Sequence, residues 1–337
     1  MKVDVINQTE SNISTLPGQE KPKTPVQSSK CPCSIAQLLA ICIPIAAVLL
    51  FAAIFVPIYV VNHNDDDDYK IYPPNPNTNT HNTNSTDEFD EYEENVVNVS
   101  YATLTPKGDY DNIFIFLGGI SDVSNLYFDF FKSNNTFIPK GTKIYFLSGP
   151  PRQMQFMIDY YNYTDPVPAW FNIDSQANLV PANDFTQAKE SLELVLNEID
   201  RIKNAENVDY KKIYLGGFSQ GAMMTNYIIL NSRHELGGYL AFSGYVFDHD
   251  FSSNQVITTL SDTQKQKLAA RKDYHILATN SFADNRVFYQ LAAPSYQNYY
   301  TSYSDFRLYS FGELEHVFPE QTTHDAVRAW LKKSMGK

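Results

Sequence analysis

The sequence contains little cysteine: Cys31, Cys33 and Cys42 are the only three in 337 residues. The chain beyond Cys42 can therefore form no disulfide bond and hold no thiolate-ligated metal. Basic residues are also scarce, with 26 Lys and Arg against 38 Asp and Glu and a formal net charge of −12. Because no basic patch is present, a nucleic-acid partner is not expected. Stability must come from an apolar core, and 43% of the residues are hydrophobic.

Charge is absent from residues 34–61, SIAQLLAICIPIAAVLLFAAIFVPIYVV. This run is longer than the ~20 apolar residues that a helix needs to cross a bilayer. A buried helix of a soluble protein is the alternative, but such helices are seldom this long without a polar stripe. A cleaved signal peptide is not expected, because a long polar segment precedes the run. We therefore predict a transmembrane signal anchor at 34–61, after a disordered cytosolic tail at 1–33.

The charges on the two sides of this run differ in sign. Lys21, Lys23 and Lys30 precede it, whereas four aspartates follow at 65–68. The positive-inside rule then places the N-terminus in the cytosol and the rest of the chain in a lumen or outside the cell, as in a single-pass type II membrane protein. Asn-x-Ser/Thr sequons on that same side are Asn84, Asn98, Asn134 and Asn162.

Residues 62–99 are rich in asparagine, proline and acidic side chains. Within them, residues 65–94 hold ten acidic residues and a single lysine. A segment with so few apolar residues cannot offset the entropy that folding removes. We predict a solvated stalk at 62–99, which leaves residues 100–337 as the folded domain.

Beyond residue 100, short apolar runs alternate with stretches that have helical spacing. Six runs indicate buried strands: NIFIFLGG (112–119), KIYFLSG (143–149), KIYLGGF (212–218), GGYLAFSG (237–244), YHILATN (274–280) and FRLYSFG (306–312). Residues 185–206 and 324–333 carry apolar side chains at helical spacing. Strands this apolar, separated by helices, predict an α/β domain with a mostly parallel sheet covered by helices on both faces.

Ser219 lies between the predicted strand 212–218 and a stretch of good helix formers that begins at Gln220. It is flanked by Gly217 and Gly221, which a tight strand-to-helix turn needs because side chains there would collide. The helix N-terminus adds N–H donors where an oxyanion would form. Ser219 is therefore predicted to be a nucleophile, and an ordinary turn residue is the alternative.

A nucleophilic serine needs a base and an acid that orients the base. His316 directly follows the last predicted strand, where an α/β sheet presents its catalytic loops, and we prefer it to the other downstream histidines. His275 lies inside a predicted strand, and His324 is expected to be a solvated residue of the last helix. Asp284 follows the predicted strand 274–280, just as His316 follows the predicted strand 306–312. Asp248 and Asp250 follow another strand and are the reserve candidates for the acid.

Three segments, GGFSQGAMM, PVPAWFNID and FADNRV, occur in this order and resemble the acyl-protein thioesterase and lysophospholipase-like carboxylesterase family of α/β-hydrolases. The resemblance covers roughly residues 110–335. It implies Ser219 as the nucleophile, Asp284 as the orienting acid and His316 as the base. The family's histidine is followed by Ser or Thr, whereas Val317 and Phe318 follow His316.

The resemblance also implies the residues that surround the triad. The family has His-Gly-Leu-Gly-Asp after its first strand, and here the matching stretch is GGISD, with Ser121 in place of the second glycine. The backbone N–H groups of Ile120 and Gln220 are then expected to form the oxyanion hole. Trp170 and Met223 are expected to bind substrate. The Met- and aromatic-rich residues 152–171 border the acyl channel in the family, and packing under a loop is the alternative.

The implied reaction is acyl transfer from an ester or thioester through an acyl-enzyme on Ser219, with no metal or organic cofactor. A catalytically inactive domain that serves as a membrane-anchored binding or adhesion module is the alternative, because fold does not determine function. The presence of all three triad candidates favours the enzyme.

Overall fold

The computed structural model describes residues 90–133, 136–173, 185–247, 262–300, 302–312, 315–318 and 321–336. The predicted tail, the predicted membrane span and most of the predicted stalk lie outside these residues, as do Asp248 and Asp250. Among the helices that the structure describes, none is both long enough and apolar enough to cross a membrane.

Eight of the described strands form one sheet, in the order β1-β2-β4-β3-β7-β8-β9-β10. The ten strands are β1 (Tyr92–Asn98), β2 (Tyr101–Pro106), β3 (Asn112–Leu117), β4 (Thr142–Leu147), β5 (Pro151–Arg152), β6 (Val167–Pro168), β7 (Ile213–Phe218), β8 (Gly238–Phe242), β9 (His275–Ser281) and β10 (Asp305–Phe311). β5 and β6 form a separate two-stranded pair. In the large sheet, β2 runs antiparallel to both of its neighbours, and all the other pairs are parallel. Each of the six predicted strands is confirmed.

Helices cover both faces of the sheet, as predicted. They are α1 (Phe128–Lys132), α2 (Gln155–Tyr161), α3 (Thr186–Glu206), α4 (Gln220–Asn231), α5 (Asp262–Ala269), α6 (Tyr289–Tyr300) and α7 (Gln321–Met335). Alternate side chains of the strands enter two separate cores. Ile113 and Ile115 of β3 join the core that contains α3, α4 and α6. Phe114 and Phe116 join the core that contains α1 and α7. This two-sided burial explains why consecutive positions of the central strand β3, from Ile113 to Leu117, are all apolar.

The folded domain begins before residue 100, and the predicted stalk boundary is corrected accordingly. β1 lies inside the 62–99 segment, and its backbone pairs antiparallel with β2. The side chain of Asp90 accepts a hydrogen bond from the amide of Gly141 at 2.7 Å, which ties the start of the domain to the sheet. β1 is an edge strand whose residues after Tyr92 are all exposed. Its side chains therefore carry no buried-strand pattern, and only its backbone pairing defines it.

Candidate active site

The turn between β7 and α4 holds Ser219 in a strained conformation, with φ 55° and ψ −120°. Non-glycine residues seldom adopt positive φ, and such outliers cluster at functional sites. The flanking glycines are required by close packing. A Cβ atom on Gly217 would lie 2.4 Å from the carbonyl carbon of Gly221, and one on Gly221 would lie 2.1 Å from the carbonyl oxygen of Leu117. Ser219 is thereby held at the carboxyl end of β7.

The three residues predicted as a triad lie together at this edge of the sheet. The Oγ atom of Ser219 is 2.8 Å from Nε2 of His316. Nδ1 of His316 is 2.9 Å from Oδ2 and 3.0 Å from Oδ1 of Asp284. Asp284 follows β9 and His316 follows β10, two adjacent parallel strands whose carboxyl ends meet here. The arrangement can pass a proton from the serine hydroxyl to the imidazole.

The carboxylate of Asp284 is oriented by its own loop. Asp284 is only 3% exposed. Its Oδ1 accepts hydrogen bonds from the backbone amides of Arg286 at 2.9 Å and Val287 at 2.7 Å. Hydrogen bonds of this kind compensate a buried carboxylate and hold it in one orientation. The carboxylate is therefore aimed at His316 before any substrate binds.

The loop that carries His316 is held by aromatic packing. The imidazole stacks on the ring of Phe218, with centroids 4.9 Å apart and planes at 27°. Two residues further on, Phe318 packs edge-on against Phe116 and Phe130, at centroid distances of 5.6 Å and 4.7 Å. Val317 and Phe318 stand where the family has Ser or Thr after the histidine. Within this altered segment, Phe318 fixes the His316 loop to the aromatic core.

The predicted oxyanion donors, Ile120 and Gln220, both line the cleft beside Ser219. Ile120 belongs to the loop after β3, where the amide of Ser121 donates to the carbonyl of Pro168 at 2.8 Å. Ser121 has φ 67°, so it adopts the left-handed conformation that the family's glycine would favour. No acceptor among the described residues is bonded to the amide of Ile120. Ser121 can therefore replace the family's glycine without changing the loop conformation that leaves the Ile120 amide available as an oxyanion donor.

Asp122 holds the loop after β3 in place. The sequence did not predict this role. The Oδ2 atom of Asp122 accepts hydrogen bonds from the amide of Gly119 at 2.6 Å and from the hydroxyl of Tyr127 at 2.7 Å. Burial raises the pKa of the Asp122 carboxyl above its ordinary value, and the hydrogen bonds from Tyr127 and Gly119 partly oppose that rise. The available signal was its alignment with the aspartate of the family's His-Gly-Leu-Gly-Asp stretch.

The structure places Trp170 beneath the site and not in the cleft, which corrects its predicted role as a substrate-binding residue. Trp170 is fully buried. Its indole N–H donates to the carbonyl oxygen of Gly118 at 2.8 Å, and its backbone amide donates to Oε1 of Gln220 at 2.7 Å. The side-chain amide of Gln220 in turn donates to the carbonyl of Phe171 at 2.7 Å. Trp170 and Gln220 thus brace the two segments that carry the predicted oxyanion donors.

His324 is also placed differently from the prediction. It is 4% exposed, and its ring packs against Phe130 and Phe137 at centroid distances of 5.2 and 5.9 Å. His324 was expected to be solvated because it lies on a helix with charged neighbours, but α7 turns this side chain into the aromatic core. His275 lies at the opposite end of β9 from Asp284, 2.7 Å from the carboxylate of Asp305.

A cleft of about 290 Å³ opens above the Ser219 hydroxyl. Its lining is mostly apolar and includes the predicted residue Met223. The lining residues are Ile120, Ser121, Phe156, Met157, Tyr161, Ile173, Ser219, Gln220, Met223, Arg286 and His316. In the part of the chain that the structure describes, no group of three or more His, Cys, Asp or Glu side chains is arranged to hold a metal ion.

A mostly parallel eight-stranded sheet, a serine on a strained turn after a central strand, and an acid and a histidine after the next strands define an α/β-hydrolase. The chain belongs to the phospholipase/carboxylesterase family, which it matches over residues 100–329. The family predicted from the sequence is thereby confirmed, and the homologues support the prediction of a serine hydrolase.

Each of the curated relatives matches only part of this chain. Acyl-protein thioesterase 1 of Kluyveromyces lactis is 39% identical over 79 residues, which are 23% of this chain and 34% of that protein. The acyl-protein thioesterase 1 of Yarrowia lipolytica is 32% identical over 102 residues, 30% of this chain and 44% of that protein. The chain therefore matches less than half of the length of either relative.

Solved structures resemble the chain over a larger part. Acyl-protein thioesterase 2 of Zea mays has a TM-score of 0.55 at 18% identity, covering 70% of this chain and 99% of its own. Arabidopsis thaliana SOBER1 has a TM-score of 0.52 at 18% identity, covering 67% of this chain and 99% of its own. At this level of identity, the likeness shows a shared fold.

Proposed function

We propose that this protein is a serine hydrolase that cleaves carboxylic esters or thioesters through an acyl-enzyme. The observation that carries the proposal is the continuous hydrogen-bonded chain from Ser219 through His316 to Asp284, which opens onto an apolar cleft. Geometry of this kind assigns the roles of nucleophile, base and orienting acid independently of sequence order.

The first half of the reaction forms the acyl-enzyme. His316 Nε2 takes the proton from the Ser219 hydroxyl as Oγ attacks the substrate carbonyl. Negative charge then develops on the carbonyl oxygen, and the backbone N–H groups of Ile120 and Gln220 are the donors proposed to stabilise it. When the tetrahedral intermediate collapses, the imidazolium gives its proton to the departing alcohol or thiol. Asp284 holds the tautomer of His316 that makes both transfers possible.

The second half returns the enzyme to its starting state. His316 takes a proton from a water molecule, whose oxygen attacks the acyl carbonyl on Ser219. The same oxyanion donors stabilise the second tetrahedral intermediate, and the proton passes from His316 to Ser219 Oγ as the carboxylic acid leaves. This chemistry consumes only water and substrate.

The cleft supports a proposal about acyl chain length. Its volume of about 290 Å³ lies just below the roughly 300–1,000 Å³ found for ligand pockets. The triad and oxyanion hole recognise a tetrahedral centre that is nearly the same for esters and thioesters, so selectivity depends on the pocket. We propose oxygen esters of short to medium acyl chains, or lysophospholipids, as substrates that are cleaved at least as well as protein thioesters.

The substrate proposal is tested on the purified full-length protein in detergent. Specific activities are compared on matched acetyl, butyryl and octanoyl esters, a lysophosphatidylcholine and a palmitoyl-cysteine peptide. We expect the butyryl and octanoyl esters to be cleaved at least as fast as the peptide. A strong preference for the palmitoyl peptide would contradict the chain-length proposal. A folded protein that cleaves none of these substrates and takes no fluorophosphonate label would instead be the inactive binding or adhesion module.

We further propose that the catalytic domain is lumenal or extracellular, joined to a type II membrane anchor at 34–61 by the polar segment after it. The lysines before the apolar run and the aspartates after it support this orientation. Two of the sequons, at Asn98 and Asn162, lie on the described surface of the domain and are exposed. Both are accessible to a glycosylating enzyme.

Topology is tested in sealed microsomes. We expect added protease to leave the catalytic domain intact, because the membrane shields it, and an endoglycosidase to reduce its mass. The double variant Asn98→Gln and Asn162→Gln is expected to show a smaller loss of mass on endoglycosidase treatment than the unaltered protein. A domain digested in sealed vesicles, while a lumenal marker survives, would place it in the cytosol.

A further inference from the structure

Arg286 is the single permanently charged residue among those that line the cleft. It lies on the turn after β9, and its backbone amide donates to Asp284 at 2.9 Å. The residue is exposed to solvent while also contributing to the cleft wall, so it stands at the mouth of the cleft. The hydrogen bond to Asp284 fixes the position of the Arg286 backbone relative to the proposed triad.

The guanidinium of Arg286 differs from those of the other described arginines. Each of the other six donates to a carboxylate, a hydroxyl or a carbonyl oxygen; they are Arg152, Arg201, Arg233, Arg271, Arg307 and Arg328. For Arg286, no acceptor for the side chain is present among the described residues. The cleft lining that includes Arg286 has apolar side chains such as Phe156, Met157 and Ile173, and its described residues include no acidic one. The five N–H donors of this guanidinium therefore have no hydrogen-bond partner within the part of the chain that the structure describes.

A free guanidinium has a specific chemical preference. Its planar fork of donors matches a carboxylate or a phosphate and binds either with two parallel hydrogen bonds. The chain as a whole has a formal net charge of −12, so an anionic substrate would be repelled unless a local cation attracted it. Arg286 supplies such a cation within the same small cleft as Ser219.

We infer that Arg286 is a specificity-determining residue that selects esters carrying an anionic oxygen group, a carboxylate or a phosphate, a few atoms from the scissile carbonyl. This inference rests on the proposed hydrolase function. The apolar lining holds the connecting carbon chain, while the guanidinium holds the anionic end. The small cleft volume limits that chain to a short one.

The test uses two matched pairs of substrates with the full-length protein. In the first pair, an aryl ester of adipic acid with a free distal carboxylate is compared with its distal methyl ester. In the second pair, 1-hexanoyl-glycerol-3-phosphate is compared with 1-hexanoyl-glycerol. The quantity measured is the ratio of kcat/KM for the anionic member to that for the neutral member. The first pair detects a carboxylate on the acyl side, and the second detects a phosphate on the alcohol side.

We expect a ratio of about three or more in at least one pair, because an ion pair at an exposed site is worth up to about fivefold. Arg286→Gln is expected to bring that ratio close to one, and Arg286→Glu to lower it further. Added salt is expected to reduce the ratio in the unaltered protein. Lys272→Gln, which removes an exposed cation outside the cleft lining, is the matched control and leaves the ratio unchanged.

Ratios near one in both pairs, or a ratio that Arg286→Gln leaves unchanged, would overturn the inference while leaving the hydrolase proposal standing. Failure to cleave either member of either pair, together with no fluorophosphonate labelling, would overturn the hydrolase proposal itself. Rates on the neutral esters are measured in the same preparations, so loss of folded protein is distinguished from loss of selectivity.

Discussion

Ser219→Ala is expected to abolish ester hydrolysis and fluorophosphonate labelling while leaving the unfolding midpoint close to that of the unaltered protein. In the proposed mechanism the hydroxyl supplies the attacking oxygen, and its removal takes away one hydrogen bond at a partly exposed turn. Members of a catalytic triad act as a unit, so His316→Ala is expected to lower kcat about as far, by roughly 10⁵–10⁶. Activity is measured on the butyryl ester, and unfolding is followed by circular dichroism.

His275→Ala is the matched control for His316→Ala. His275 also pairs with a carboxylate, Asp305 at 2.7 Å, but at the other end of β9. The His275→Ala variant is expected to retain most of the activity. His324, which the sequence indicated as a solvated control, is unsuitable because its buried ring packs in the aromatic core. If Ser219→Ala keeps most of its activity, another residue is the nucleophile.

Gly221→Ala is expected to destabilise the fold and to remove activity together. The added Cβ would lie 2.1 Å from the carbonyl oxygen of Leu117 and 2.6 Å from that of Gly118. Both contacts are with backbone, which cannot rotate away as a side chain can, so β3 and α4 must separate. Overpacking of this kind costs about 1–3 kcal/mol, and more where the backbone must move. The free energy of unfolding is measured by urea titration, and kcat/KM is measured on the butyryl ester.

The comparison variant is Gly108→Ala, because an added Cβ at Gly108 has no atom within 4 Å. It is expected to change neither stability nor activity appreciably. Equal urea midpoints for the two variants would contradict the close packing of α4 against β3. A stable but inactive Gly221→Ala protein would show that the backbone shift caused by the added Cβ is confined to the loop that carries Ile120.

Local patterns were sufficient wherever burial and turn chemistry act on neighbouring residues. The six apolar runs predicted strands because a parallel sheet buried on both faces favours near-continuous runs of apolar side chains. Ser219 was identifiable because the turn around it needs glycines at fixed spacing, which the packing distances at Gly217 and Gly221 explain. His316 and Asp284 were found from their positions after strands, since parallel strands present their carboxyl ends at one edge.

Other features depended on contacts between distant segments, which no local pattern contains. β1 was placed in the stalk because the segment that contains it is rich in acidic residues and asparagine, and only its pairing with β2 makes it a strand. Trp170 was expected in the cleft, yet its hydrogen bonds to Gly118 and Gln220 bury it beneath the loop. The same dependence applies to Asp122, whose partners Gly119 and Tyr127 could be identified only in the folded loop.

The sequence by itself determined the α/β class, the sheet core and the position of the serine turn, because hydrophobic pattern and glycine spacing are properties of contiguous residues. Only the tertiary structure decided which aromatic residues support the site and that Arg286 lines the cleft. Those outcomes depend on the direction in which a side chain leaves its element. That direction is set by contacts with segments that are distant in sequence, as where the indole of Trp170 donates a hydrogen bond to Gly118, 52 residues away.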